Sequence, residues 1–113
     1  MRKLIKVLLL FISVVAYSQQ IPEKSKKRNS VLEVNGNCEM CKARIEKACL
    51  KTKGVKYAYW DVASKKLSVV YNENKTELSD IQQSVLMVGH DVDSLRAAAP
   101  VYNRLHACCK FRE

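Results

Sequence analysis

The sequence predicts an α+β domain in the order β-α-β-β-α-β, and three observations carry that reading. Apolar residues alternate in three short runs, at 31–35, 55–62 and 66–71, which is the period of a strand with one buried face. Two segments, one from Cys41 and one at 76–88, space their apolar residues three and four apart, as a helix does. Glycines punctuate the changes of period, at Gly36, Gly54 and Gly89.

The elements follow in order. Val31-Leu32-Glu33-Val34-Asn35 alternates and is rich in branched residues, so it reads as a strand ending at the Gly36 turn. Cys41, Ile45, Ala48 and Cys49 share one helical face, with Lys42, Arg44, Glu46 and Lys47 turned to water, and Gly54 closes that helix. Ala58, Trp60 and Val62 on one strand and Leu67, Val69 and Tyr71 on the next make one surface, joined by the polar turn Ala63-Ser64-Lys65. Leu78, Ile81, Val85 and Val88 define the second helix, Gly89 ends it, and residues 90–95 are a short fourth strand. This order is the ferredoxin-like, split-βαβ sandwich: an antiparallel four-stranded sheet with two helices on one face, here followed by a C-terminal tail. In that topology the loops at 36–40 and 89–90 are neighbours.

The 113 residues allow one small domain with its leader and tail, and 48% hydrophobic against 27% charged residues is ordinary soluble usage. The formal charge of +9 invites a nucleic-acid reading, but its distribution argues against one. Arg2, Lys3 and Lys6 precede ten or so apolar residues and the small residues Ala16 and Ser18, which reads as a cleaved signal peptide at 1–18 with Gln19 as the new N-terminus. The apolar run falls short of the ~20 residues a membrane-spanning helix needs, so no stable anchor is expected after cleavage. Residues 19–29 form a basic linker carrying Lys24, Lys26, Lys27 and Arg28 against Glu23. From Ser30 onward 13 basic residues face 10 acidic ones, so the basicity belongs mostly to leader and linker. The expectation is an exported protein, periplasmic or secreted, with no nucleic-acid partner. Its five cysteines would then sit where disulfides persist.

Cys38-Glu39-Met40-Cys41 places two thiols at a strand-to-helix junction, where free backbone N–H groups and the helix dipole favour thiolate. Two adjacent thiolates make a low-coordination sulfur site of the kind Cu(I) accepts, whereas zinc normally takes four ligands.

With those elements and that motif in place, residues 31–95 resemble the heavy-metal-associated (HMA) domain family, which includes copper chaperones, the metal-binding domains of copper- and zinc-pumping P-type ATPases, and the periplasmic mercury-binding protein. The resemblance rests on Cys38-x-x-Cys41, Ala43-Arg44-Ile45-Glu46-Lys47-Ala48, Gly54-Val55, Lys65-Lys66-Leu67 and Gly89-His90-Asp91-Val92. It implies metal ligands at Cys38 and Cys41 and handling of a soft metal rather than catalysis. Two departures stand out. Asn35-Gly36-Asn37 lies where the family usually has Gly-Met-x, so the Met that packs under the metal loop is missing and a looser loop is expected. His90 lies where the family carries Tyr or Lys, and an imidazole there is a candidate third ligand or a cation that tunes the thiols.

The domain proper is therefore 30–96, and the tail, 97–113, adds His106-Ala107-Cys108-Cys109. Cys108 and Cys109 are candidate auxiliary metal ligands, or else disulfide partners of each other or of the loop cysteines. If the fourth strand runs away from the metal loop, the tail must travel back about 20 Å, the length of a five- or six-residue strand, and Pro100 would start a helix on the way. Cys49 reads as a small buried hydrophobe, Met40 as a loop-packing residue, and Trp60, Tyr57 and Tyr59 as sheet residues. Lys42 and Lys47 either steer an acidic partner or simply line a solvated face.

No acid-base or nucleophilic constellation is visible, so an enzyme is not expected. The sequence predicts a Cu(I) chaperone or scavenger working by thiolate exchange with a partner protein, with Hg(II) or Zn(II) as alternative ions. The rival is an envelope thiol-disulfide exchange protein in which Cys38-Cys41 cycles and Cys108-Cys109 resolves. A monomer is expected, with a metal-bridged dimer as the alternative.

Overall fold

The computed structural model describes residues 26–112; the leader at 1–18 with its cleavage site, and residues 19–25 of the linker, lie outside them. Its elements are β1 (Lys27–Glu33), α1 (Glu39–Leu50), β2 (Val55–Trp60), β3 (Lys66–Asn72), α2 (Leu78–Met87) and α3 (Ala99–Tyr102), with a 3₁₀ turn at Ala107–Cys109. β1 begins four residues ahead of its expected start, pairing Lys27 with Asn72 and running in register to Glu33 opposite Lys66. α1 begins two residues ahead of Cys41, with Cys38 in extended conformation as its N-cap. β2 pairs the other edge of β3, with an irregularity between Val55 and Tyr57, so the sheet order is β1-β3-β2 and every pairing is antiparallel.

The alternation read from the sequence places Leu32, Trp60, Leu67, Val69 and Tyr71 against the inner faces of the helices, which contribute Cys41, Ile45, Cys49, Ile81 and Val85. Each of the larger side chains contributes about 1.5–3 kcal/mol by leaving water. The joint between α1 and β2 is polar. Glu46 Oε2 accepts the Trp60 backbone N–H at 2.9 Å and the Lys42 ammonium at 2.8 Å, and Lys42 Nζ also donates to Trp60 O at 2.9 Å. α2 starts on a capping box in which Glu77 and Asp80 exchange side chain to backbone bonds.

The expected fourth strand is the point of correction. Among the described residues, 90–95 form no strand; only isolated bridges join Val34 to Val92 and Val92 to Leu95. The chain reverses at Asp93, whose φ of 51° lies in the left-handed region that Asp tolerates better than most residues. The Asp93 carboxylate then accepts the Glu33 backbone N–H at 3.0 Å, occupying a group at the β1 edge that a longer strand would have paired. Gln82 Nε2 holds the other carboxylate oxygen at 2.9 Å.

That early reversal removes the return journey expected of the tail. Ala97 N–H donates to Asp91 Oδ1 at 2.8 Å, so the tail starts beside residues 90–92. Pro100 sits in the first turn of α3, as expected, but the helix is only four residues long. Tyr102, Leu105 and Cys109 then join the same core as the domain. Gly89, at φ 99°, lets Leu105 close in: a Cβ there would stand 3.0 Å from Leu105 Cδ2 and 3.2 Å from Val101 O.

Candidate metal centre

The CxxC loop leaves β1 at Val34, which bridges Val92, and Asn35 N–H donates to Asp91 O at 3.0 Å. The loop is not loose. Gly36 is buried, and a Cβ on it would meet Cys41 Cβ at 3.0 Å and the Trp60 indole carbons Cζ2 and Cη2 at 3.1 and 3.0 Å. Trp60, fully buried and fixed by its Nε1–H donating to Val34 O at 3.0 Å, packs against Gly36 and holds the loop close.

Cys38 Sγ lies at the centre of the thiols. Cys41 Sγ is 3.4 Å away, Cys108 Sγ 3.3 Å and Cys109 Sγ 3.3 Å, with 3.9 Å between Cys108 and Cys109. Cys38, Cys108 and Cys109 form a group whose sulfurs all lie within 4.8 Å of one another. All five cysteines carry free thiols. Cys38 is half-buried, Cys41 and Cys109 are buried, and Cys108 is exposed, with its thiol donating toward the Met40 Sδ at 3.5 Å. Met40, itself exposed, therefore sits beside the cluster instead of packing under the loop.

Burial opposes ionisation at Cys38, but hydrogen bonds with the Cys41 backbone N–H and with the Cys108, Cys109 and Cys41 thiols outweigh it and bring the Cys38 pKa down to about 6. Its partner behaves oppositely. Burial and the Cys109 contact push Cys41 up to about 12, against a hydrogen bond from the Asn37 N–H at 3.4 Å. The Cys38 contact raises the Cys108 thiol first of all, and burial raises Cys109 despite the pull of Cys41 and Arg44. One thiolate surrounded by thiols is a state ready to exchange protons for a soft cation.

The remaining sequence candidates separate clearly. His90 is fully buried, its Nδ1 2.8 Å from Asn35 O and its ring stacked on Phe111 at a centroid distance of 5.7 Å, so it braces the loop from behind. Burial holds its pKa below the ordinary value, which leaves a neutral ring rather than a tuning cation. Cys49 lies in the core, where burial and then Glu46 push its thiol up to about 12. Lys42 is engaged by Glu46, Trp60 O and the Tyr59 ring, 3.6 Å from its ammonium, while Lys47 is exposed.

Sequence reasoning missed the residues that hold the tail over the loop. Asn37 Nδ2 donates to Lys110 O at 3.0 Å. Arg112 Nη2 donates to Asp91 Oδ1 at 2.6 Å and Ala97 O at 2.8 Å, its Nε reaches Asp91 Oδ2 at 3.4 Å, and its backbone N–H donates to Tyr102 Oη at 2.8 Å. The nearest cation to Asp91 in sequence is Arg96, so nothing local points to Arg112, 21 residues on.

Fold and sulfur cluster together define a small thiol-rich metal-binding module. The chain belongs to the heavy-metal-associated domain family, whose model matches residues 31–91. It is 30% identical over 89 residues to a copper-exporting P-type ATPase of Staphylococcus haemolyticus, covering 78% of this chain but only 11% of that protein. The chain thus spans about a tenth of the length of the curated relatives it matches. Among solved structures it is similar to a CopZ metallochaperone, at 28% identity and a TM-score of 0.57, covering 58% of this chain and all of that one. It is also similar to the N-terminal domain of a potential copper-translocating P-type ATPase from Bacillus subtilis in the Cu(I)-loaded state, at 26% identity and a TM-score of 0.57, covering 65% of this chain and all of that one.

Proposed function

We propose that the chain is an exported soft-metal carrier that takes Cu(I) through Cys38 and Cys41 and passes it on by thiolate exchange. The observation that carries this reading is the pair itself: a half-buried sulfur at the N-cap of α1, 3.4 Å from the sulfur one helical turn on. The relatives, one copper-exporting in name and one solved Cu(I)-loaded, support the choice of ion. Two-coordinate Cu(I) matches a pair of thiolates.

Exchange runs one bond at a time. An incoming partner thiolate adds to the ion, giving a three-sulfur intermediate; one domain cysteine then leaves and takes a proton. The ion keeps its oxidation state throughout. Cys38, already thiolate near neutral pH, is the first ligand, and Cys41 loses its proton on binding. Export rests on the leader's basic, apolar and small-residue segments, and the fate of residues 1–18 is checked by N-terminal sequencing of the mature protein from cell fractions.

The deciding experiment is anaerobic titration of the reduced mature protein with Cu(I) against a competing chelator. Tight one-to-one binding abolished by Cys38→Ser/Cys41→Ser supports the reading. Failure of the unmutated protein to compete removes copper and moves the thiol-disulfide reading ahead.

A further inference from the structure

Resting on that reading, we propose that Cys38 belongs to two ligand sets, the loop pair with Cys41 and a tail triad with Cys108 and Cys109, and that the triad is a second, three-thiolate site in which the chain holds its own cargo.

Geometry supports the triad. Three bonds of ~2.3 Å in a trigonal plane set sulfurs ~4.0 Å apart, using the usual d¹⁰ metal–thiolate length. The triad spacings of 3.3, 3.3 and 3.9 Å reach that arrangement with side-chain adjustment alone. Soft d¹⁰ ions that accept two or three thiolates, Cu(I) and Hg(II), are the class it takes.

The tail is placed for this purpose by contacts that do not involve sulfur. Asn37, within the metal loop, donates to Lys110 O and ties the tail to the loop. Arg112 clamps Asp91 and Ala97 O, Phe111 stacks on His90, and Leu105 fits against Gly89. A cation is also present. Three thiolates around Cu(I) carry two net negative charges, and Arg44 lies against Cys109 with its Nη1 buried and without a hydrogen-bond partner. The Arg44 guanidinium beside Cys109 offsets part of that charge.

Transfer between the sets goes through Cys38. An ion on Cys38 and Cys41 gains a bond to Cys109 and then Cys108, and the bond to Cys41 breaks. Each incoming thiol gives up its proton, one passing to the departing Cys41 sulfur and one to solvent. No electrons move. The exposed Cys108 is the ligand a partner displaces first on the way out. The tail thereby competes with the partner and slows delivery.

The test loads the reduced, full-length mature protein with one equivalent of Hg(II) and reads the number of bound sulfurs by X-ray absorption and the sulfur-to-mercury charge-transfer bands. Three sulfurs in the unmutated protein, three in Cys41→Ser, and two in Cys108→Ser/Cys109→Ser are expected. Cys41→Ser/Cys108→Ser, which leaves only Cys38 and Cys109 of the cluster, falls to two and guards against misfolding at buried Cys109. Because a tethered thiol acts at an effective concentration on the order of millimolar, removing both tail thiols should speed Cu(I) transfer to an acceptor dithiol at about 100 µM by roughly tenfold. Two sulfurs in the unmutated protein, with transfer unchanged in the tail variants, overturns the triad and leaves the loop pair standing. Loss of all binding in Cys108→Ser/Cys109→Ser, with three sulfurs kept in Cys41→Ser, overturns the shared-sulfur proposal from the other side by removing the loop pair itself.

Discussion

Gly36→Ala tests whether the Trp60 indole supports the metal loop. The added methyl would stand 3.0 Å from Cys41 Cβ and 3.0 and 3.1 Å from two indole carbons. Carbon atoms rest at about 3.5–4.0 Å, so the shortfall is about half an ångström or more against both neighbours. Neither yields easily. Cys41 is fixed in α1, and tilting Trp60 lengthens its buried hydrogen bond to Val34 O. Overpacking of this kind costs about 1–3 kcal/mol, and restricting the unfolded chain returns about 0.4–1 kcal/mol, for a net loss of up to about 2.6 kcal/mol. Urea unfolding of the apo protein measures it, and Trp60→Phe, which withdraws the carbons the methyl meets, supplies the cycle. The Gly36→Ala penalty should shrink by about 1 kcal/mol in the Trp60→Phe background. An equal penalty in both backgrounds refutes the idea that the indole supports the loop.

Arg112→Ala removes the partner of Asp91, whose side chain is only 9% exposed. Because the Ala97 N–H remains, the loss should fall to about 2–3 kcal/mol, below the range for a fully buried pair, and hydrogen exchange should quicken in 99–112 before it does in β3. Iodoacetamide labelling of the apo protein, mapped by mass spectrometry, should find Cys38 reactive with a midpoint near pH 6 while Cys41 and Cys49 stay silent; a midpoint near the ordinary 9.0 contradicts the thiol network. His90 is buried with its pKa lowered, so the unfolded chain binds the proton more readily and stability is fully present above the unfolded value of 6.5 and lost as pH falls below it. Stability against pH should therefore slope downward on the acid side of 6.5, and His90→Gln should flatten that slope; an unchanged slope places the sensitivity elsewhere.

Periodicity made three strands and both long helices legible, because Leu32, Leu67, Val69, Ile45, Ile81 and Val85 sit on the faces their spacing dictates. Cys38 and Cys41 were legible for a local reason, the junction of strand and helix. What escaped was set by tertiary capture. The fourth strand ends because the Asp93 side chain takes the Glu33 N–H, sixty residues away, and no window of sequence contains both. The loop is tight because Trp60 reaches under Gly36 from the end of β2. Lys42 looks like a free surface cation until Trp60 O, Glu46 and Tyr59 are seen to enclose it.

These misses bear on one another. A full fourth strand would have carried the chain away from the metal loop and left Cys108 and Cys109 to return by an unguided route. Reversal at Asp93 instead delivers Ala97 to Asp91, and Arg112 then closes the circuit by binding both. The placement of the tail sulfurs therefore depends on a turn residue far from them in sequence and on a cation at the end of the chain. A substitution that let the fourth strand extend, by removing the Asp93 turn, would act on the sulfur cluster without touching a cysteine. That dependence separates a tail shaped to meet Cys38 from one that merely carries thiols.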